Sequence, residues 1–507
     1  MTQSSTDADP RPSSSKAAGW TLAARQAERL LGIGSIAVLA RVLSPHEFGL
    51  VAMAGSVVAL TEVLSAFGFD WALVRVRNPT RAHYDSAWSL RVLSGLVTFA
   101  VLAVAAHPAA LYFHQPAIAW IIIALAANGL LSAVENIGIV DFRRHMRFDL
   151  EFRMRIAGKV AGVIAAVGWA VATHSYWALV IGITATRLTS VVLSYVMHDF
   201  RPHWDISQRG ELLNFSVWLL LGNAVEAFRA RFADLWLGRH LGSASVGLYS
   251  MASELSALAS TEFAAPINRA VYTTYLELGD DLEALRTRFL RVSGLIWAIG
   301  VPAAVGLGVC AKQIVAVLLG SQWHEAARVL GMLAIAGGIT VTASNTHYVY
   351  WALGRPKFVT VLSMIGTTAF VALTVVLGNQ YGLLGVAGAQ VLASSLVVVL
   401  NYVALVRTLN LRIMELLSRN WRPLLASLVM AVAIGYIPGA FAHIGVDNAA
   451  PQLAAMVISG VCVYFASLGG IWIAFSRPPG PESDVFEFIQ NALRRVGLFR
   501  KHRDTRP

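Results

Sequence analysis

Residues 41–54 read RVLSPHEFGLVAMA and residues 239–252 read RHLGSASVGLYSMA. The two stretches share the pattern R-x-L-x5-G-L-x-x-M-A at an offset of 198 residues. Further along, Leu90-Arg91-Val92 recurs as Leu290-Arg291-Val292, and Thr61-Glu62 recurs as Thr261-Glu262 once two residues are inserted. Three matches in the same order at nearly one offset point to an internal duplication. Six apolar stretches separate the copies, so both copies cross a bilayer in the same direction. Parallel repeats of this kind form two lobes related by an axis along the membrane normal.

The stretches around these repeats decide the class. The chain has 507 residues, of which 56% are hydrophobic and only 14% charged, with a mean hydropathy of +0.60. Soluble chains carry nearer a quarter charged residues, and apolar runs of about 20 residues span a bilayer. The expectation is an all-α polytopic membrane protein. This composition excludes a secreted domain, a coiled coil and a nucleic-acid-binding protein, despite a net charge of +11. Cys310 and Cys462 lie in apolar stretches, so no disulfide framework is expected.

Fourteen spans are expected, at about 20–40, 48–73, 86–106, 117–140, 156–173, 176–198, 212–237, 246–276, 289–310, 328–352, 358–378, 383–406, 423–443 and 452–475. Residues 311–327 read as an outer loop with a partly buried apolar segment. The organisation expected is a disordered tail (1–19), a six-helix lobe (20–200), a linker (201–211), a second six-helix lobe (212–406), an amphipathic loop (407–422), two further helices (423–475) and a basic tail (476–507). With the N-terminus inside, 33 of the 40 Lys and Arg residues fall on inner segments, several of them at helix ends. That asymmetry places both termini in the cytoplasm. The amphipathic stretches 407–421 and Asp484–Phe499 are expected on the inner leaflet, held by anionic membrane lipid. The outer connections are short, so the working part is expected inside the bilayer.

Ionisable groups within a span are costly and normally face a cavity or a partner. Helix 1 carries Arg25, Glu28 and Arg29 on one face. On helix 7, Asn223, Glu226 and Asp234 fall within about 80° at 100° per residue, flanked by Arg229 and Arg231. Arg187 lies in helix 6. These residues are the candidates for an anionic, sugar-bearing ligand, because guanidinium groups match phosphate oxygens and polar groups match hydroxyls. The structural alternative is local pairing, Arg25 with Glu28, Glu226 with Arg229 and Arg231 with Asp234. Glu62, Glu254 and Glu262 are candidates for coupling to a proton or sodium ion, or for pairing with neighbouring arginines. No phosphate-binding loop of the form G-x4-G-K-[ST], no HExxH and no clustered Cys/His set occurs. No catalytic residue, metal site or cofactor is therefore expected.

The stretch Leu39–Met53, LARVLSPHEFGLVAM, resembles the LAR-x-L-x-P-x-(D/E)-F-G-L signature of the Wzx/WzxC-like polysaccharide transporter family. DLWLGRHLGSASVGLY (234–249) resembles that family's D-x-x-x-G-R-x-L-G-x5-G-x-Y motif. The likeness covers about residues 20–475. Asp70, where relatives often carry glycine, departs from it. The resemblance implies the fold of the multidrug/oligosaccharidyl-lipid/polysaccharide exporters and the flipping of undecaprenyl-pyrophosphate-linked oligosaccharide from inner to outer leaflet. It implies a bacterial inner-membrane location and polysaccharide polymerase or export machinery as partners. A drug/cation antiporter of the same superfamily is the alternative, and a membrane glycosyl polymerase is a third reading.

Overall fold

The computed structural model describes residues 14–65, 73, 79–208, 217–279, 281–443, 448–476, 480 and 483. Asp70 and the stretch Asp484–Phe499 lie outside the described residues, as does most of the expected N-terminal tail. Among the described residues the chain is helical throughout and divides into two compact units, with the boundary after Gly247.

The first unit opens with α1 (Ser14–Val42) and α2 (Pro45–Ser65). Sequence alone dictates the start of α2. Pro45 occupies the first helical turn, where its missing N–H costs nothing. Three residues after Ser44, the Glu47 carboxylate accepts from the Ser44 backbone N–H at 2.7 Å and from its hydroxyl at 3.0 Å. That is half of a capping box, and it gives S-P-H-E a physical meaning. Next come α3 (Arg81–Phe113), α4 (Ala117–Ala133) and the short α5 (Val140–Arg144). The expected span 117–140 is not straight: it bends by 65° before Ile137–Arg144. Asn136 sits at the bend, where its side chain accepts from the Gly138 N–H at 2.9 Å.

The helices α6 (Phe148–Thr173) and α7 (Trp177–Met197) form the tightest pair of this unit. Their seam follows from a four-residue stripe of small side chains on α6. Met154, Gly158, Gly162, Ala166 and Ala170 are all buried. A Cβ on Gly162 would lie 1.9 Å from Thr186 Oγ1 and 2.7 Å from Gly182 O, so only glycine allows this approach. Helix α1 packs along α6, α4 contacts α7, α3 and α2, and α8 (Val217–His240) packs on α2.

Helix α9 (Gly242–Leu278) crosses the unit boundary, with its first six residues in the first unit. The second unit continues with α10 (Leu282–Val309), α11 (Ala311–Leu318), α12 (Ala326–Thr342) and α13 (Thr346–Ala352). It ends with α14 (Pro356–Thr408), α15 (Ile413–Gly435), α16 (Ile437–His443) and α17 (Ala449–Ala474). Helix α10 packs on α12 and α15, α12 on α14, and α15 on α17. A straight 53-residue helix would run about 80 Å, more than twice the hydrocarbon thickness. Instead the chain reverses at Gly382 (φ 59°, ψ −134°), between the expected spans 358–378 and 383–406. Gly385 completes the turn, since a Cβ there would sit 2.0 Å from Leu377 O.

Eight described helices are long and apolar enough to cross a bilayer, or nine if the bent pair counts as one span. Helix α14 counts once in that tally although it doubles back at Gly382. The chain is a multi-pass membrane protein. The stretch 407–422, expected as a separate surface segment, differs from that reading. From Ile413 it forms the first turns of α15, which continues through Pro423, and Asn420 and Arg422 are buried.

Candidate functional site

The duplicated motif meets itself. A Cβ on Gly49 would lie 1.7 Å from Ser243 O, and a Cβ on Gly247 would lie 2.0 Å from Pro45 O and 3.1 Å from Gly49 N. The two motif glycines thus let one backbone ride directly on the other, which any side chain would forbid. His46 Nδ1 and Ser243 Oγ are 2.5 Å apart at the same crossing. Next to it, Arg239 donates to Tyr112 O at 2.7 Å, and Gly238 faces the Phe113 ring and the Met53 methyl. The expected relation between the two copies was by symmetry alone; their contact had no signal in the sequence.

All five cationic candidates, Arg25, Arg29, Arg187, Arg229 and Arg231, lie in the first unit. Three of them sit at or beside the midpoints of their helices: Arg29 in the 29-residue α1, Arg187 in the 21-residue α7 and Arg229 in the 24-residue α8. On a helix of 21 to 29 residues a midpoint lies about 15–22 Å from either end. A guanidinium at that depth needs water, an anion or a carboxylate, since hydrocarbon solvates it poorly. Arg25 and Arg187 are exposed and make no ion pair among the described residues.

On α8 the charges pair along the helix. Arg229 donates to Glu226 through Nε at 3.2 Å and Nη2 at 2.8 Å. Arg231 Nη1 stands 3.7 Å from Asp234 Oδ2, and Asp234 is buried. Local pairing and ligand contact are compatible here, because both arginines and Glu226 retain substantial exposure (34%, 45% and 54%). Asn223 lies in α8, with its side chain outside the described residues.

On α1 the local pairing expected between Arg25 and Glu28 gives way to a tertiary one. Glu28 takes a bidentate pair from Arg155 on α6, Nε to Oε1 at 2.6 Å and Nη2 to Oε2 at 2.7 Å. Arg155 also approaches Glu151, which accepts from Arg143 at 2.8 Å. Sequence reading placed Arg155 among the inner-side charges and missed this role. Its partner lies 127 residues away, and nothing short of the α1–α6 packing brings them together.

The acidic candidates are spread out. Glu62 on α2 and Glu254 on α9 are exposed, and Glu262 lies in α9 with its side chain outside the described residues. No cluster of three or more His, Cys, Asp or Glu suited to a metal occurs among the described residues. The second unit holds a buried neutral network instead. Asn345 donates to Tyr275 OH at 2.8 Å, Asn268 to Ser344 Oγ at 3.1 Å, and Thr346 Oγ1 to Asn401 Oδ1 at 3.1 Å.

The linker is ordered over its described part and docks on the first unit. The His203 N–H donates to Asp85 Oδ1 at 2.7 Å, the Asp205 N–H to Ser89 Oγ at 2.9 Å and the Gln208 N–H to Ser86 Oγ at 3.2 Å. Asp205 in turn accepts from the backbone N–H and hydroxyl of Ser207, which hold its carboxyl below the usual range. Tyr84 donates a short hydrogen bond to Asp141, whose other oxygen lies 3.5 Å from His198 Nε2. These carboxylates and hydroxyls tie the linker and the Asn136 bend to the helix ends of the first unit.

Comparison with known proteins adds an independent line. Residues 38–328 match the family described as Polysaccharide biosynthesis protein. The lipopolysaccharide biosynthesis protein WzxC of Escherichia coli is 23% identical over 80% of this chain and 84% of its own length. The succinoglycan biosynthesis transport protein ExoT of Rhizobium meliloti is 25% identical over 88% of this chain and 90% of its own length. Among solved structures, the lipid II flippase MurJ in an inward closed conformation superposes with a TM-score of 0.69 at 14% identity, covering 90% of this chain and 99% of that one. An inward-facing MATE family transporter of the MOP superfamily gives a TM-score of 0.59 at 14% identity, covering 76% and 94%.

Proposed function

The chain belongs to the family described as Polysaccharide biosynthesis protein, and from that membership we propose that it moves a lipid-linked oligosaccharide across the bacterial cytoplasmic membrane. The protein is a transporter of the multi-pass kind, not an enzyme. The substrate class in this reading is an undecaprenyl-pyrophosphate-linked repeat unit of an exopolysaccharide, capsule or O-antigen, carried from inner to outer leaflet by alternating access. One observation carries the proposal: Arg29, Arg187 and Arg229 stand at or beside the midpoints of their helices in one unit. A pyrophosphate crossing the bilayer needs cations along its way. A succinoglycan transport protein and a lipopolysaccharide biosynthesis protein among the relatives support the same substrate class.

An antiporter of organic cations requires an excess of carboxylates over arginines. In the first unit Glu28, Glu226 and Asp234 each pair with an arginine, while Arg187 has no such partner among the described residues. That balance favours an anionic cargo. Proton or sodium coupling through Glu62, Glu254 or Glu262 remains part of the proposal as the source of energy, and polymerase or export machinery downstream is the proposed partner.

The test is mass spectrometry of lipid-linked oligosaccharides in a strain depleted of this protein, with leaflet exposure probed separately. A complete repeat unit accumulating on the inner leaflet, reversed by re-expression, is the expected result. Accumulation on the outer leaflet, or none at all, overturns the reading.

A further inference from the structure

The second unit contains a cavity of about 1460 Å³ that the transport reading does not use. Its walls come from α10, α11 and α12, with the turn of α14 at Tyr381–Leu384 and Leu424 of α15. On α10 the lining residues are Trp297, Val301, Ala304, Val305 and Gly308, spaced i, i+4, i+7, i+8, i+11. On α12 they run from Arg328 through Gly331, Ala334 and Gly338 to Thr342. The fourteen steps from Arg328 to Thr342 correspond to about 21 Å at 1.5 Å per residue. The lining extends along that length, and most of its residues are apolar. A Cβ on Gly308 or Gly331 would meet nothing closer than 3.7 Å.

One end of this channel is charged. Lys312 on α11, with Glu325 and Arg328 at the start of α12, lines that end, and none of the three makes an ion pair among the described residues. Both cations are exposed, and they outnumber the single carboxylate. The other end is closed by Trp297, whose Nε1 donates to Tyr402 OH at 3.3 Å, and by Thr342. An apolar channel of chain length under two cations has the form of a single amphiphile with an anionic head.

We propose that this cavity binds an anionic phospholipid, with one acyl chain lying along the cavity-lining faces of α10 and α12 and its phosphate held by Lys312 and Arg328. The charge balance selects a net-negative head over a zwitterionic one, and the depth to Trp297 suits an extended chain. Under the topology expected from the basic residues, the charged rim faces the outer leaflet. The site is independent of the nature of the transported glycan.

Trp297 provides the readout. The full-length protein is reconstituted in phosphatidylcholine vesicles containing graded amounts of phosphatidylglycerol brominated on its acyl chains. The fluorescence difference between this protein and Trp297→Phe isolates the half-buried indole at the cavity. Brominated phosphatidylglycerol is expected to quench that component at a several-fold lower mole fraction than brominated phosphatidylcholine does. Lys312→Gln/Arg328→Gln should abolish this preference. Equal quenching by the two lipids overturns the proposal. Should Trp297→Phe fail to fold, native mass spectrometry reads the same site. Retention of phosphatidylglycerol by the wild type and its loss in Lys312→Gln/Arg328→Gln support the proposal, whereas retention of a polyprenyl phosphate in its place refutes it.

Discussion

Arg229 and Arg231 stand two residues apart on α8, yet their pairings make opposite demands on the fold. Arg229 and Glu226 are both accessible, and an exposed i, i+3 pair contributes at most about 0.5 kcal/mol. Asp234 is buried, with its side chain only 6% exposed, so Arg231 compensates a carboxylate that water does not reach. Removing one member of a buried pair costs about 3–5 kcal/mol. The 45% exposure of Arg231 reduces this to about 1–2 kcal/mol through solvent screening. Arg229→Ala is therefore expected to melt in detergent within a degree or two of wild type, and Arg231→Ala several degrees lower. Asp234→Asn added to Arg231→Ala should recover most of that loss. Both single variants should still reach the membrane and abolish polymer export, because the phosphate contact is lost in each. Normal export by both variants would remove α8 from the proposed pathway while leaving the family membership intact.

At the scale of whole elements, Gly382 is the sharpest point in the second unit. Its φ of 59° with ψ of −134° lies where L side chains are strained, and residues forced there cost about 1–3 kcal/mol. Gly382→Ala is expected to lower the melting temperature in detergent. Gly168→Ala on α6, where an added Cβ meets nothing within 4 Å, should leave it unchanged or raise it, since alanine is the better helix former. Equal effects at the two sites would show that Gly382 does not need its left-handed turn. Elements of this kind were partly legible: hydropathy separates 358–378 from 383–406 on either side of the turn. The bend at Asn136 was not legible. It depends on the side chain bonding to Gly138 N and donating to Phe200 O at 2.7 Å, a contact 64 residues away. The Glu28–Arg155 pair and the docking of 203–208 on Asp85, Ser86 and Ser89 were hidden for the same reason. A period or a charge count reports which face a residue shares, and the neighbour on another helix supplies the rest. The local pairs on α8 were readable because i, i+3 spacing on one helix fixes their geometry in advance.

For the molecule as a whole, the distribution of basic residues sets the expected orientation. With 33 of 40 Lys and Arg on one set of connections, the sequence places the linker around Ser207 inside and the connection around Ser321 outside. Three expected spans separate the two positions, so they must lie on opposite sides whichever end is inside. That makes a two-site label decisive. In a background with exposed Cys462 replaced by Ala and Cys310 left buried, Ser321→Cys is expected to react with a membrane-impermeant maleimide in intact spheroplasts. Ser207→Cys should react only after the membrane is opened. Both positions are accessible at the protein surface, Ser321 beyond α11 and Ser207 next to Asp205, so failure to label reflects the membrane and not burial. The reverse pattern would turn the molecule over, putting the Glu28–Arg155 end of the first unit outside and the Lys312 and Arg328 rim inside. The orientation expected from the basic residues would then fall, while the direction of carriage would stay open to the lipid-linked oligosaccharide measurement. Labelling of both positions from outside would break the three-span spacing itself and show that one expected crossing between 207 and 321 does not span.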